Sequence, residues 1–303
     1  MAYSLGGLTA YTEQDAKKLV YKIVAQDDMS QYMNVQTGIK SAETINIIAT
    51  EGVWQAAAAC NPVASGDTVL TQRTLTVGKT SITLEWCEEN LEAYYTQKAM
   101  KAGSTYDMLT FRNDIVNDVI QNIHRRKSIA IWQGDTTSGS AYLNKFDGLA
   151  KIIAAASGVN TATAVTWSVA NSRTAIQNVL TAITDNMYAA STSGSLKIFM
   201  GTAEARDYRL KLGIDNLYHY TGADNKLYAE NSDVEIIPVI GLSGTKKVYA
   251  IDTKNMYLGT DLESEEDKLT LKVLENEKLR LSIKFKYGVQ IAFPDQIVSQ
   301  INT

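Results

Sequence analysis

The chain has 303 residues, a formal net charge of -4, 20% charged residues and 45% apolar ones. A chain this long can bury roughly 75% of the surface it exposes when unfolded, so one large domain or two modest ones with a true core are expected. The acidic balance argues against tight, sequence-independent binding of nucleic acid, which depends on Lys and Arg neutralising phosphates. No apolar run approaches the ~18 residues of a membrane-spanning helix.

The opening residues, MAYSLGGLTAYTEQDAKK, lack a basic stretch followed by an apolar one, so no secretory leader is expected. Thr12 to Asp15 resembles a capping box, and Ala16, Leu19, Val20, Ile23 and Val24 follow at helical spacing. The next stretch, QDDMSQYMNVQTGIKSAET, is polar and weakly patterned, and reads as an extended arm. From Ile45 the period changes to two. TINIIATEGVW and LTQRTLTVGKTSITLEW are rich in Ile, Val and Thr, as strands are, and QAAAACNPVASGDT between them carries the breakers Pro62 and Gly66. The unit from about Ala49 to Val77 reads as a long hairpin with too few large apolar groups at its tip to bury itself. A two-stranded ribbon is marginal alone in water and needs a surface to lie against.

A hairpin that paired Cys60 with Cys87 would have to turn near Arg73, whereas the turn residues lie at Asn61 to Asp67. Two free thiols are therefore expected, as in a reducing cytoplasm. Tyr106 to Gln133 contains no Pro or Gly, and Met108, Phe111, Ile115, Val119 and Ile123 form one stripe. Such a helix would be ~40 Å long, ending at Gly134-Asp135. Beyond it, Ser168 is expected to cap a helix carrying Ile176, Val179, Leu180, Ile183 and Met187. SLKIFM reads as a buried strand, Thr202 as the cap of a helix closed by Gly213, and VEIIPVIGL, KKVYAIDTKNMYLG and KLTLKVLENEKLRLSIKFKYGVQIAF as strands. Helices and strands mix without strict βαβ order, so the fold class is α+β.

Signatures of chemistry are sparse. His124 beside Arg125 and Arg126, and His219 in a tyrosine-bearing loop, read as structural, surface or interface residues. HExxH, paired CxxC, Walker, GxGxxG and GxSxG patterns do not occur. GLSGTKK lacks the spacing and following helix of a phosphate loop. Glu88 and Glu89 are adjacent, so on a helix they point about 100° apart. DLESEEDK reads as a solvated turn. No catalytic, cofactor or metal site is expected.

The order of elements is more telling. EGVW with LTQRTLTVGKTSITLEWCEENLE, IAIWQGDTTSGSAYLNKFDGLAKI, LKIFMGTAEARDYRLKLG, VYAIDTKNMYLG and LRLSIKFKYGVQIAFPDQIV follow one another along nearly the whole chain. Together they resemble the major capsid protein of tailed bacteriophages, a fold shared with encapsulin shells and the herpesvirus capsid floor. The resemblance implies an N-terminal arm (1–44) and an extended hairpin loop with its exit strand (45–90). It implies a peripheral domain with a long spine helix (91–150 and 262–303) and an axial domain (151–261). It further implies self-assembly into hexamers and pentamers of an icosahedral shell that encloses phage DNA without gripping it. The expected partners are a portal protein, a separate scaffolding protein and decoration proteins; assembly is expected in the bacterial host cytoplasm. The chain lacks the long N-terminal scaffolding region of some members, so a separate scaffold or unassisted assembly is expected. Subunit contacts are expected at Leu19, Val20, Ile23, Trp54, Pro62 and Arg73. An encapsulin-like nanocompartment and an enzyme with an unfamiliar site are the alternatives.

Overall fold

The computed structural model describes residues 29–52, 66–87, 122–123, 125–191, 193–217, 226–261, 270–273 and 278–303. The described residues form thirteen strands. They are β1 (Asn34–Gln36), β2 (Ala42–Gly52), β3 (Gly66–Thr76), β4 (Gly78–Cys87), β5 (Asn160–Thr161), β6 (Leu196–Gly201), β7 (Leu227–Tyr228), β8 (Glu235–Val239), β9 (Lys247–Asp252), β10 (Met256–Thr260), β11 (Thr270–Val273), β12 (Lys278–Ile291) and β13 (Ile297–Ile301). The helices are α1 (125–133), α2 (Leu149–Ala155), α3 (Ser172–Ala182), α4 (Asp185–Ser191) and α5 (Thr202–Ile214). The class is α+β.

Three sheets organise these elements. β12 is the spine of the first: β4 runs antiparallel to it from Gly78 opposite Tyr287 to Cys87 opposite Lys278. β11 and β10 pair with its two halves, and β1 adds in parallel to β10. The second sheet has the order β5-β13-β9-β6-β8-β7, and the third is the β2-β3 ribbon. Residues 66–87 are thus almost one extended run with a break at Val77. Before the break the run pairs with β2, and after it with β12.

The second sheet is buried on both faces, which is why its strands read as nearly continuous apolar runs. Ile198, Met200, Val248 and Ala250 face a cluster with Ile176 and Val179 of α3 and Tyr208 and Leu212 of α5. Phe199, Tyr249 and Ile251 join a second cluster with Ile131 and Trp132 of α1, Leu149 and Ile153 of α2, and Val289 and Ile291 of β12. The Trp132 ring stacks on Tyr249 at 5.6 Å and 18°, and burial pushes the Tyr249 phenol up to about 12. α1 ends as the sequence predicts: the Gly134 N–H donates to the Ala130 carbonyl, and a β-carbon at Gly134 would sit 2.6 Å from the carbonyl oxygens of Ala130 and Phe146. The rest of the expected spine helix, 106–121, lies outside the described residues.

Four expectations are corrected. The stretch 29–41 is not a free arm: Met29, Met33 and Ile39 are buried and β1 pairs with β10. Its apolar residues fit neither helical nor strand period, and a distant parallel partner supplies its backbone hydrogen bonds. The helix carrying Ile176 to Met187 is two helices, because Ile183 is extended (ψ 126°) and Asp185 begins a second first turn. α5 runs through Gly213 to Ile214, and the positive φ of its exit falls on Asn216 (57°). The sheets also trade strands across residue 261: β10 joins the first sheet and β13 the second. Of β13, Ile297 faces one apolar cluster and Val298 the other, so an internal position covers both faces.

Candidate functional site

The ribbon is rooted on a pair of glycines. Gly259 of β10 lies opposite Gly288 of β12. A β-carbon on Gly288 would come 2.0 Å from the Thr76 carbonyl oxygen and 3.0 Å from the Val77 α-carbon. One on Gly259 would reach 3.0 Å from the side-chain tips of Ile39, Leu75 and Val77. Glycine in a strand interior commonly marks a close backbone approach, and here the approaching backbone is the ribbon's base. Gln290 Nε2 donates to the Thr74 carbonyl at 2.8 Å, and Ile39, Ile45, Ile47, Leu75, Val77 and Ala292 form a small core at the root.

The two ribbon faces differ. Glu43, Ile45 and Ile47 alternate with Leu75, Arg73 and Thr71 on one side, where Ile45, Ile47 and Leu75 are buried by the chain itself. The opposite side carries Thr44, Asn46 and Ile48 across from Thr74, Gln72 and Leu70, all exposed. Ile48 is 65% exposed and Leu70 71%. Val69, on the Ile47 side but nearer the tip, is 49% exposed. Ile48 and Leu70 thus form an exposed apolar cross-strand pair on the ribbon.

Of the expected contact residues, Arg73 lies half-buried opposite Ile45. Leu19, Val20, Ile23, Trp54 and Pro62 lie outside the described residues, as do Cys60, His124, His219, Glu88 and Glu89. Of the six, only Arg73 falls among the described residues. The Gly259–Gly288 pair and the Ile48–Leu70 rung were missed. The glycines were the available signal, since each interrupts an alternating strand pattern.

Polar clusters on the body hold loops. Lys151 Nζ donates to Asp135 Oδ1 (2.6 Å) and Asp147 Oδ1 (2.7 Å), and Thr137 and Thr136 donate to the same two carboxylates. The hydrogen bond from Lys151, then those from Thr137, hold Asp135 down to about 2. Burial pushes Asp147 up, and the bonds from Lys151 and Thr136 outweigh it. This network closes residues 134–148, where the Gly148 N–H donates to the Gly134 carbonyl at 2.8 Å. Arg173 of α3 engages Glu230 in a bidentate pair and Asp215 at 3.0 Å, joining the exit of α5 to the turn after β7. GLSGTKK forms a short turn leading into β9, so no helix N-terminus faces a ligand. Among the described residues, no group of three or more His, Cys, Asp or Glu is placed to hold a metal ion. None of their helices is long and apolar enough to cross a membrane.

Comparison with solved structures decides the fold. A satellite phage P4 procapsid that includes the size determination (Sid) protein aligns over 95% of this chain and 90% of its own, with a TM-score of 0.62 at 10% identity. A virus-like particle from Pyrococcus furiosus aligns over 96% and 99%, with a TM-score of 0.56 at 12% identity. A chain of Microbacterium phage Oxtober96 aligns over 91% of both, with a TM-score of 0.54 at 13% identity. The chain has the phage capsid fold. No protein-family profile and no curated protein sequence matches it. At such identities the capsid fold is carried by packing pattern and topology, with few residues in common.

Proposed function

We propose that this chain is the shell-forming subunit of a tailed-phage capsid. The observation that carries the reading is the whole-chain likeness to a procapsid, over 90% or more of both chains. The ribbon supports it, because its exposed apolar rung has no partner within the described residues of one copy. The chain works through surfaces rather than chemistry. Ribbon and N-terminal segment lie across neighbouring subunits, each copy giving and receiving the same contact, so that the contacts close into rings. Hexamers and pentamers then build an icosahedral shell around double-stranded DNA, to which a mildly acidic protein binds loosely. A portal, a separate scaffold and decoration proteins complete the particle, which assembles in the host cytoplasm. In this reading the peripheral unit takes β1, β4 and β10 beside β11 and β12, and the axial unit takes β13.

The second reading is an encapsulin-like compartment, favoured by the match that spans 99% of the Pyrococcus furiosus virus-like particle chain. Cryo-electron microscopy of nuclease-treated particles from the native source separates the two. Hexamers with pentamers around nuclease-protected DNA support the phage capsid. A shell of the same subunits holding protein cargo and no DNA supports the compartment and overturns the phage reading.

A further inference from the structure

The ribbon's two faces are not equivalent, and the difference assigns an orientation to the contact it makes. On the Ile45 side, the chain's own core already covers Ile45, Ile47 and Leu75 at the root, and the charged Glu43 and Arg73 lie on that side. On the other side, the described rungs Ala42–Thr76, Thr44–Thr74, Asn46–Gln72 and Ile48–Leu70 carry no charge, and every residue in them is exposed. Gln72 Nε2 donates to Asn46 Oδ1 at 3.0 Å, so the most polar rung meets part of its hydrogen-bonding need internally. Covering such a face strands no charge and few polar groups, while covering Ile48 and Leu70 removes the ribbon's most exposed apolar pair from water.

We propose that this uncharged face, and not the Ile45–Arg73 face, is the one covered by a second copy of the chain. The inference rests on the shell reading above. Area supports a second copy as the occupant. Two strands of this length, ~3.4 Å per residue and ~10 Å across the pair, present a face on the order of 350 Å². A stable two-protein interface needs ~800 Å² from each partner. A separate partner protein seated on the ribbon alone would fall well short. A copy of the same chain both gives its ribbon and receives a neighbour's, so each subunit buries about twice the area, and ring closure makes the contacts mutually reinforcing. The face is thus too small to hold a lone dimer and suited to closed assembly.

The test compares charge placed on either face at exposed positions. Leu70→Glu and the milder Leu70→Thr alter the uncharged face, and Thr71→Glu alters the other. Each full-length variant is checked for folding by a denaturant melt and for assembly by light scattering and negative-stain microscopy. Leu70→Glu is expected to fold as the parent does and to give at least tenfold fewer particles, with Leu70→Thr between them and Thr71→Glu like the parent. Normal particles from Leu70→Glu, or equal loss from Thr71→Glu, would overturn the orientation and leave the shell reading standing. A parent chain that forms no particles would overturn the shell reading, and this inference with it.

Discussion

Gly288 is where the account of the ribbon's root is most exposed to failure. On intrinsic grounds, replacing a strand glycine by alanine should stabilise by about 0.5–1 kcal/mol, because glycine loses more conformational freedom on folding. The packing argues the opposite. An alanine β-carbon at 288 would lie 2.0 Å from the Thr76 carbonyl oxygen and 2.8 Å from its carbon, and neither is a flexible side-chain end. Either the ribbon's base or β12 must shift, breaking the pairing at the Val77 corner. Overpacking of this kind costs ~1–3 kcal/mol, and contact with backbone places Gly288→Ala at the upper end. With a urea slope of about 3 kcal/mol per molar, the unfolding midpoint should fall by about 1 M. The buried Trp132 supplies a fluorescence signal for the melt. Gly259→Ala meets only side-chain tips at 3.0 Å and should cost less, about 1 kcal/mol, while Gly139→Ala meets nothing within 4 Å and should be near neutral. If Gly288→Ala were neutral or stabilising, the ribbon would not be seated where described.

Two further predictions probe the body. Asp135 is held at about 2 against an ordinary 3.8, so its contribution to stability is present above about pH 4 and is lost as the pH falls through 2. Lys151→Met should move the Asp135 titration, read by carbonyl NMR, back toward 3.8, and an unchanged midpoint would count against the lysine as its cause. Ile131 is fully buried between the two sheets, and Ile131→Ala should cost ~2–5 kcal/mol in a denaturant melt, whereas truncating exposed Arg125 on the same helix should stay within about 0.5 kcal/mol.

Much of this architecture can be read from the residues, because the signals involved are local. Period-two runs rich in Ile, Val and Thr mark β2, β3 and β4, the turn residues at 61–67 place the ribbon's reversal between Gly52 and Gly66, and Gly134 ends α1. The capsid likeness was legible in the order of such segments. What escaped was non-local. Met29, Met33 and Ile39 are buried on either side of a strand, Asn34–Gln36, that pairs in parallel with one more than 200 positions away, and nothing in their spacing announces it. The exchange of β10 and β13 between sheets follows from which faces are covered in three dimensions. Ile48 and Leu70 look like any alternating strand residues, and only their exposure in the folded chain separates them from Ile45 and Ile47. The expected contact residues other than Arg73 lie along the arm and tip, whereas the asymmetry among the described residues lies between the ribbon's faces.

The central claim is that this chain builds closed shells from copies of itself. Its most direct test is the mass and shape of the purified full-length protein under assembly conditions, by analytical ultracentrifugation with electron microscopy of the same sample. Hollow particles of uniform diameter, sedimenting far ahead of a 33.2 kDa subunit, are the predicted result. A single species at subunit mass, at every concentration and with co-expressed scaffold present, would contradict it.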